Sequence, residues 1–357
     1  MACAALVLCA GRAAAQEAGT AVYVRTDSDK TTVVAPRLHV ATPIADATRL
    51  DVVYTMDVWT SASVDIRASA SKPITEQRDE MHVRLSHDWD AMSLSAGYRY
   101  SKEPDYESHG GTVGFSRDFA DKSSTAALEL SAAFDTVGRA GDPGFARTAR
   151  TLGARASFTQ ILDPSTLVQV VYDPGLEQGY LSSPYRRIGI KSPDGLCTTS
   201  ASYCVPETNP DSRLRHAAAL RARRALGNRF SVGAGYRFYI DDWHLLSHTL
   251  SAEVAFLPEP DTVLALRYRF YLQGPAKQYQ SHYDTEDQKH YTNDKELSPF
   301  SSHRVALDLE HVFHFDDPGE RLRVMLSVAP SIFMYSDYVP LSHINALEVT
   351  LATVFQL

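Results

Sequence analysis

The chain has 357 residues, 44% of them hydrophobic and 22% charged, with a formal net charge of −8 at pH 7. That balance gives no basic footprint for nucleic acid, and no apolar run is long enough to cross a membrane as a helix. Residues 1–10 form the one continuous apolar run, followed by Gly11-Arg12 and Ala13-Ala14-Ala15-Gln16. This reads as a secretory signal, residues 1–15, cleaved after Ala15, although the usual basic segment before the apolar core is missing. Cys9 follows Leu8, a poor match to a lipid-attachment site. From residue 16 onward no domain boundary is visible, so one domain over 16–357 is expected.

The remaining chain alternates. Residues 21–27 are a weak strand and 32–44 a clearer one, with Val34, Leu38 and Val40 on one face. Leu50, Val52, Tyr54, Met56 and Val58 oppose Asp51, Thr55 and Asp57, and a polar loop is predicted at 63–77. Met81, Val83 and Leu85 are followed by a turn at Trp89-Asp90 and by Met92 to Tyr100 at every second position. A Gly/Glu/Ser loop then precedes Val113 and Phe115, with further strands from Ala126 to Phe134, Leu152 to Phe158 and Val168 to Tyr172. Residues 181–211 are the longest irregular segment and hold Cys197 and Cys204. In an exported chain such a close pair is most simply a disulfide stapling a loop.

The clearest repeat runs over residues 230–274. Phe230, Val232, Ala234, Tyr236, Phe238 and Ile240 oppose Ser231, Gly233, Gly235, Arg237, Tyr239 and Asp241, and the pattern restarts after residues 241–244 and again after Pro258-Glu259-Pro260-Asp261. Side chains of a strand point to opposite faces with a period of two. Each segment therefore has one apolar and one polar face. After a second long loop at 275–299 come strands near 305–313, 322–328 and 347–357. Pro36 and Pro330 fall inside predicted strands, and each removes one ladder hydrogen bond.

About 16 strands result, an all-β, antiparallel, up-and-down transmembrane β-barrel. Short connections near 45, 89, 121, 163, 227, 258 and 316 alternate with mostly longer ones, as periplasmic turns alternate with external loops. Aromatics sort likewise into two belts. Trp89, Phe119, Phe158, Phe230, Phe256, Phe315 and Phe355 lie toward the short turns, and Tyr98, Tyr100, Tyr172, Phe238, Trp243, Tyr268, Phe270 and Tyr335 toward the long loops. Leu347, Val349, Leu351, Thr353, Phe355 and Leu357 resemble the closing strand of bacterial outer-membrane barrels, which the membrane's assembly machinery recognises. That resemblance implies an outer-membrane location with lipid and that machinery as partners.

Residues 179–186 (GYLSSPYR), 236–243 (YRFYIDDW) with Ser247-His248-Thr249, and 296–300 (ELSPF) are similar to the signature of one bacterial family catalogued as a domain of unknown function. The resemblance spans nearly the whole chain after residue 15. It departs at His244, where the family motif has glycine, and matches loosely over 274–294. It implies an outer-membrane barrel whose genes keep company with exported flavin-attachment and redox genes. It brings no catalytic residue with it.

The lumen-facing positions carry Arg213, Arg215, Arg221, Arg223, Arg237, Arg267, Arg269 and Arg304, with Glu253, Asp308 and Glu310 among them. One reading is a basic wall selecting anions; the other is mutual neutralisation between adjacent strands of a polar interior. His282, Asp284, Glu286, Asp287 and His290 in the 275–299 loop are of the types that hold divalent metals, but no ligand spacing is met, so neither a metal nor any cofactor is expected. Ser247-His248 and Ser342-His343 are adjacent Ser/His pairs. Neighbours in a strand face opposite ways, so neither pair is expected to form a nucleophile–base hydrogen bond, and no enzyme is expected. The functional expectation is a porin-like channel or transporter for small solutes, anions among them. The alternative is a structural or sheath barrel holding a flavin or cytochrome redox partner.

Overall fold

The computed structural model describes residues 16–61, 63, 74–317 and 319–357. The signal segment expected at 1–15, with its cleavage site after Ala15, lies outside the described residues, as do residues 64–73 of the predicted polar loop and Pro318. The period-two alternation is realised as β1 (Glu17–Asp27), β2 (Thr31–Ala45), β3 (Thr48–Ser61), β4 (Ile74–Asp88), β5 (Met92–Lys102), β6 (Tyr106–Phe119), β7 (Ser124–Val137), β8 (Arg147–Asp163) and β9 (Thr166–Gly179). A short hairpin of β10 (Arg187–Ile190) and β11 (Tyr203–Pro206) interrupts the series. It continues with β12 (Ser212–Leu226), β13 (Phe230–Asp241), β14 (Leu246–Glu259), β15 (Thr262–Gln273), β16 (Phe300–His314), β17 (Arg321–Tyr335) and β18 (His343–Gln356). Leaving out the β10–β11 hairpin, sixteen strands close into one barrel, each antiparallel to its neighbours, with β12 pairing directly to β9. Closure runs from Glu17↔Gln356 to Asp27↔Ala346 between β1 and β18. Among the described residues the barrel itself leaves no strand edge unpaired, as a bilayer requires.

One face of every strand is apolar and faces outward. Leu250, Leu266, Leu307 and Leu351 are at least 50% exposed. An apolar girdle of that extent is untenable in water and is what hydrocarbon solvates. Near the long-loop end the outer face changes character. Tyr98–His109, Tyr172–His216, Tyr236–His248 and Tyr268–His303 each join a tyrosine hydroxyl to a histidine Nδ1 at 2.7 Å across adjacent strands. Such amphipathic rings suit the interface between hydrocarbon and headgroups. Two residues expected in this belt are not part of it. Trp243 is only 5% exposed, inside the loop structure, and Tyr335 faces the lumen against Phe300 at 5.5 Å.

The prolines leave local signatures. At Pro36 the β2–β3 ladder skips from Val34↔Val58 to Arg37↔Thr55, while β1 pairs without a break. At Pro330 the β16–β17 ladder skips from Arg304↔Ser331 to Leu307↔Val328, while β18 pairs without a break. One missing donor loosens one side only, and the strand survives. Three loop boundaries differ from expectation. β4 begins at Ile74, inside the predicted polar loop. β6 begins at Tyr106, so Ser108 to Gly111 are strand rather than loop. The 181–211 segment contains the β10–β11 hairpin, and Cys204 of β11 is disulfide-bonded to Cys197 in the connection between its strands.

Both clusters of buried apolar side chains lie in the segments at the long-loop end. One joins Ile188, Ile190 and Val205 of the hairpin to Tyr283 and Tyr291 of the 274–299 loop. The other joins Trp243, Leu245, Ala276, Tyr279 and Leu297, with Leu181 and Tyr239 packed against it. The two longest loops thus fold together as a cap.

Candidate functional site in the lumen wall and its cap

Strand register sets the inward side chains of β12 to β17 in rows. The lowest of four runs Arg223, Gly233, Glu253, Arg267. Above it, toward the long-loop end, come Arg221, Gly235, Ser251, Arg269 and Arg304. The third is Arg237, Thr249, Tyr271, Ser302 and Phe333, and the fourth Tyr239, Ser247, Gln273, Phe300 and Tyr335.

Most predicted lumen arginines have a carboxylate. Arg213 donates to Asp241 at 2.8 and 2.6 Å, and Arg215 meets Glu177 at 2.8 Å. Glu253 accepts from both Arg223 and Arg267, the latter at 2.7 Å, and Arg267 also reaches Asp308 at 3.0 Å. Arg304 donates twice to Glu348, at 3.1 and 3.0 Å, and Glu310 meets Arg323 at 3.3 Å. These pairs belong to the neutralised interior.

Arg221, Arg237 and Arg269 differ. Arg221 reaches only the Gln169 amide oxygen, at 3.5 Å; Arg237 lies over the Tyr239 ring at 5.5 Å and Arg269 over Tyr271 at 5.6 Å. The three line a recess of about 320 Å³ whose other walls are Ala219, Gly235, Tyr236, Thr249 and Ser251, with no carboxylate. Gly235, Thr249 and Ser251 are small enough to leave the guanidinium groups room. Arg269 stands directly opposite Arg304 in the ladder, a like-charge pairing that costs stability unless something neutralises it. Glu348 neutralises Arg304, leaving Arg269. A second recess of about 570 Å³ shares Arg221, Ser251 and Arg269 and continues to Arg223, Glu253 and Arg267. Sequence reading found the arginines but not which are unpaired. Their partners Asp241, Glu177 and Glu348 lie on other strands, and only the register reveals them.

The cap stands above these rows, and the three sequence motifs build it. Leu181, Trp243 and Leu297, one from each motif, share a cluster. Gly179 has φ +112°, and a Cβ there would lie 2.3 Å from the Thr148 carbonyl oxygen. Arg186 meets Glu207 at 3.1 Å and Asp294 at 2.6 Å, and Thr292 donates to Glu207 at 2.6 Å. Trp243 Nε1 donates to the Ser212 carbonyl at 2.9 Å, and Asp241 accepts from Arg213, Tyr239 and the Leu245 amide. Burial pushes the Tyr283 hydroxyl up to about 12. The cap is tied around the mouth by Lys295–Asp29 at 3.0 Å, by Tyr185–Asp105, and by Ser281 donating to Asp337 at 2.6 Å.

In the 275–299 loop His282 meets Asp284 at 3.1 Å, and among the described residues no three His, Cys, Asp or Glu converge as metal ligands. Ser342 Oγ and His343 Nδ1 lie 3.1 Å apart, contrary to expectation. Ser342 precedes β18, so strand alternation does not govern it. The pair is exposed.

Among solved structures the chain is similar to a bacterial polysaccharide outer membrane secretin (9% identity, TM-score 0.51, 94% of this chain and 97% of that one). It is also similar to CdiB from Acinetobacter baumannii (8%, 0.51, 94% and 60%) and to the siderophore receptor PirA from Pseudomonas aeruginosa (9%, 0.48, 94% and 61%). At these identities the likeness is one of fold, an outer-membrane-type barrel. The chain spans about three-fifths of the length of that receptor and 54% of another, the ferric enterobactin receptor PfeA. A search of curated proteins finds no match. Residues 64–149 and 143–320 match the family described as "Protein of unknown function (DUF3570)". The chain belongs to that family.

Proposed function

We propose that this barrel is a passage of the outer membrane for small anions, with Arg221, Arg237 and Arg269 as its binding station. The short turns then face the periplasm and the capped end faces outward. The observation that carries this reading is the carboxylate-free recess in a wall where the other predicted lumen arginines are paired. A guanidinium offers a planar fork of donors that matches a carboxylate or phosphate, and its charge does not titrate away. Three such groups converging on a recess of small residues favour an anion over water. A sixteen-strand wall is of the size that encloses an aqueous lumen. The cap regulates access from outside.

The test is ion selectivity of the refolded protein in planar bilayers, read from reversal potential in a potassium chloride gradient. Chloride preference is expected, with the triple variant Arg221→Gln, Arg237→Gln, Arg269→Gln moving the reversal potential toward zero. Replacing the paired Arg155, which donates to Asp173 at 2.6 Å, by Gln is expected to change it little. Cation preference in the unaltered protein, or no effect of the triple variant, would overturn the reading.

A further inference from the structure

An aqueous lumen is lined by polar side chains, yet the two rows above the arginine recess carry Tyr271, Phe333, Tyr239, Phe300 and Tyr335 facing inward. Tyr239 packs against the cap and Tyr335 against Tyr338, 5.5 Å away. Tyr271, Phe300 and Phe333 lie outside both cap clusters. Their rings touch one another: Tyr271–Phe300 at 5.3 Å with planes at 40°, and Phe300–Phe333 at 6.3 Å with planes at 50°. All three are only half-buried. Tilted rings at these angles make a notch rather than a flat platform. The notch is joined to the recess through Arg269, whose guanidinium lies 5.6 Å from the Tyr271 ring centre.

Resting on the anion-passage reading, we propose that the site takes aromatic carboxylates, the carboxylate in the arginine recess and the ring in the Tyr271–Phe300–Phe333 notch. Successive rows are two residues apart along a strand, about 6.6 Å, a step that one carboxylated ring bridges. Two of the polar groups beside the notch, Tyr271 and Gln273, are already committed. Tyr271 Oη donates to Gln273 Oε1 at 2.5 Å, and Gln273 Nε2 donates to the Glu296 and Ser298 carbonyls at 2.8 and 2.9 Å. A sugar acid would need partners for its hydroxyl groups and finds these taken. An aromatic ring needs only ring edges and faces, for which tilted and edge-to-face geometries are favourable. The arginines add charge attraction at one end and cation–π contact along the side.

The test is calorimetric titration of the full-length, detergent-folded protein with terephthalate and with adipate, two dianions of comparable length that differ in the ring. Terephthalate is expected to bind about ten-fold more tightly. Phe300→Leu, which keeps apolar volume but removes the ring, is expected to abolish that preference. If Phe300→Leu loses the heat-modifiable mobility of a folded barrel, Phe333→Leu makes the same test. Equal binding of the two dianions by the unaltered protein overturns this inference and leaves the anion passage standing. Binding of neither overturns both.

Discussion

His244 shows how one residue carries a backbone requirement. Its φ is +64°, in the left-handed region, where a Cβ costs about 1–2 kcal/mol relative to glycine. The resemblance read from the sequence expects glycine at this position, and the left-handed conformation is one that glycine adopts without strain. The turn is held from both sides: His244 N donates to the Asp241 carbonyl at 3.1 Å and Leu245 N to the Asp241 carboxylate at 2.9 Å. His244→Gly is therefore expected to keep the fold and stabilise the cap by about 1 kcal/mol, seen as slower amide exchange at Trp243 and Leu245. Faster exchange would show that the imidazole contributes more than its conformational cost. What sequence left hidden at this scale is pairing. Arg267 and Arg269 read identically as inward arginines, yet one shares Glu253 and Asp308 while the other has only Tyr271 beneath it. Identity and facing are local properties, but partners depend on registers between strands far apart in sequence.

Whole elements were far more legible. A period of two repeated through the chain leaves little choice but strands, and loops sorted by length leave little choice but an up-and-down barrel. The cap was not legible, because its contacts join residues 188–205 to 283–291 without any periodicity. It depends instead on close approach between loops. Gly195 has φ +72°, and a Cβ there would meet the Ser281 carbonyl oxygen of the other loop at 2.2 Å, while Asn293 Nδ2 donates to the Gly195 carbonyl at 2.8 Å. Gly195→Ala therefore carries the left-handed penalty of about 1–2 kcal/mol plus the cost of displacing the second loop. The expected result is rapid proteolysis within residues 274–299 with the barrel's heat-modifiable mobility retained. Protection equal to that of the unaltered protein would mean that the loops do not depend on this contact.

At the scale of the molecule, the barrel and the cap are stabilised by different physics. The wall rests on ladder hydrogen bonds between strands, whereas the cap rests on buried apolar clusters and a few polar ties, and so responds to pH separately. His290 sits where the two loops meet, next to Tyr291, which exchanges backbone hydrogen bonds with Thr208 at 3.0 and 2.9 Å. Its Nδ1 is buried without a hydrogen-bond partner. Burial, then the nearby Lys289, holds its pKa below the ordinary 6.5, with Asp211 pulling weakly the other way. A base with a lowered pKa binds fewer protons in the docked cap than in the undocked loop. Docking is thus fully supported above about pH 6.5 and weakens as pH falls below it. Hydrogen exchange of residues 274–299, corrected for intrinsic rates, is expected to accelerate as pH falls below 6.5 while β12 to β16 stay protected. His290→Gln, which cannot be charged, is expected to flatten that dependence. Acceleration confined to pH near 4, the ordinary carboxylate range, would show that His290 is not the group responsible.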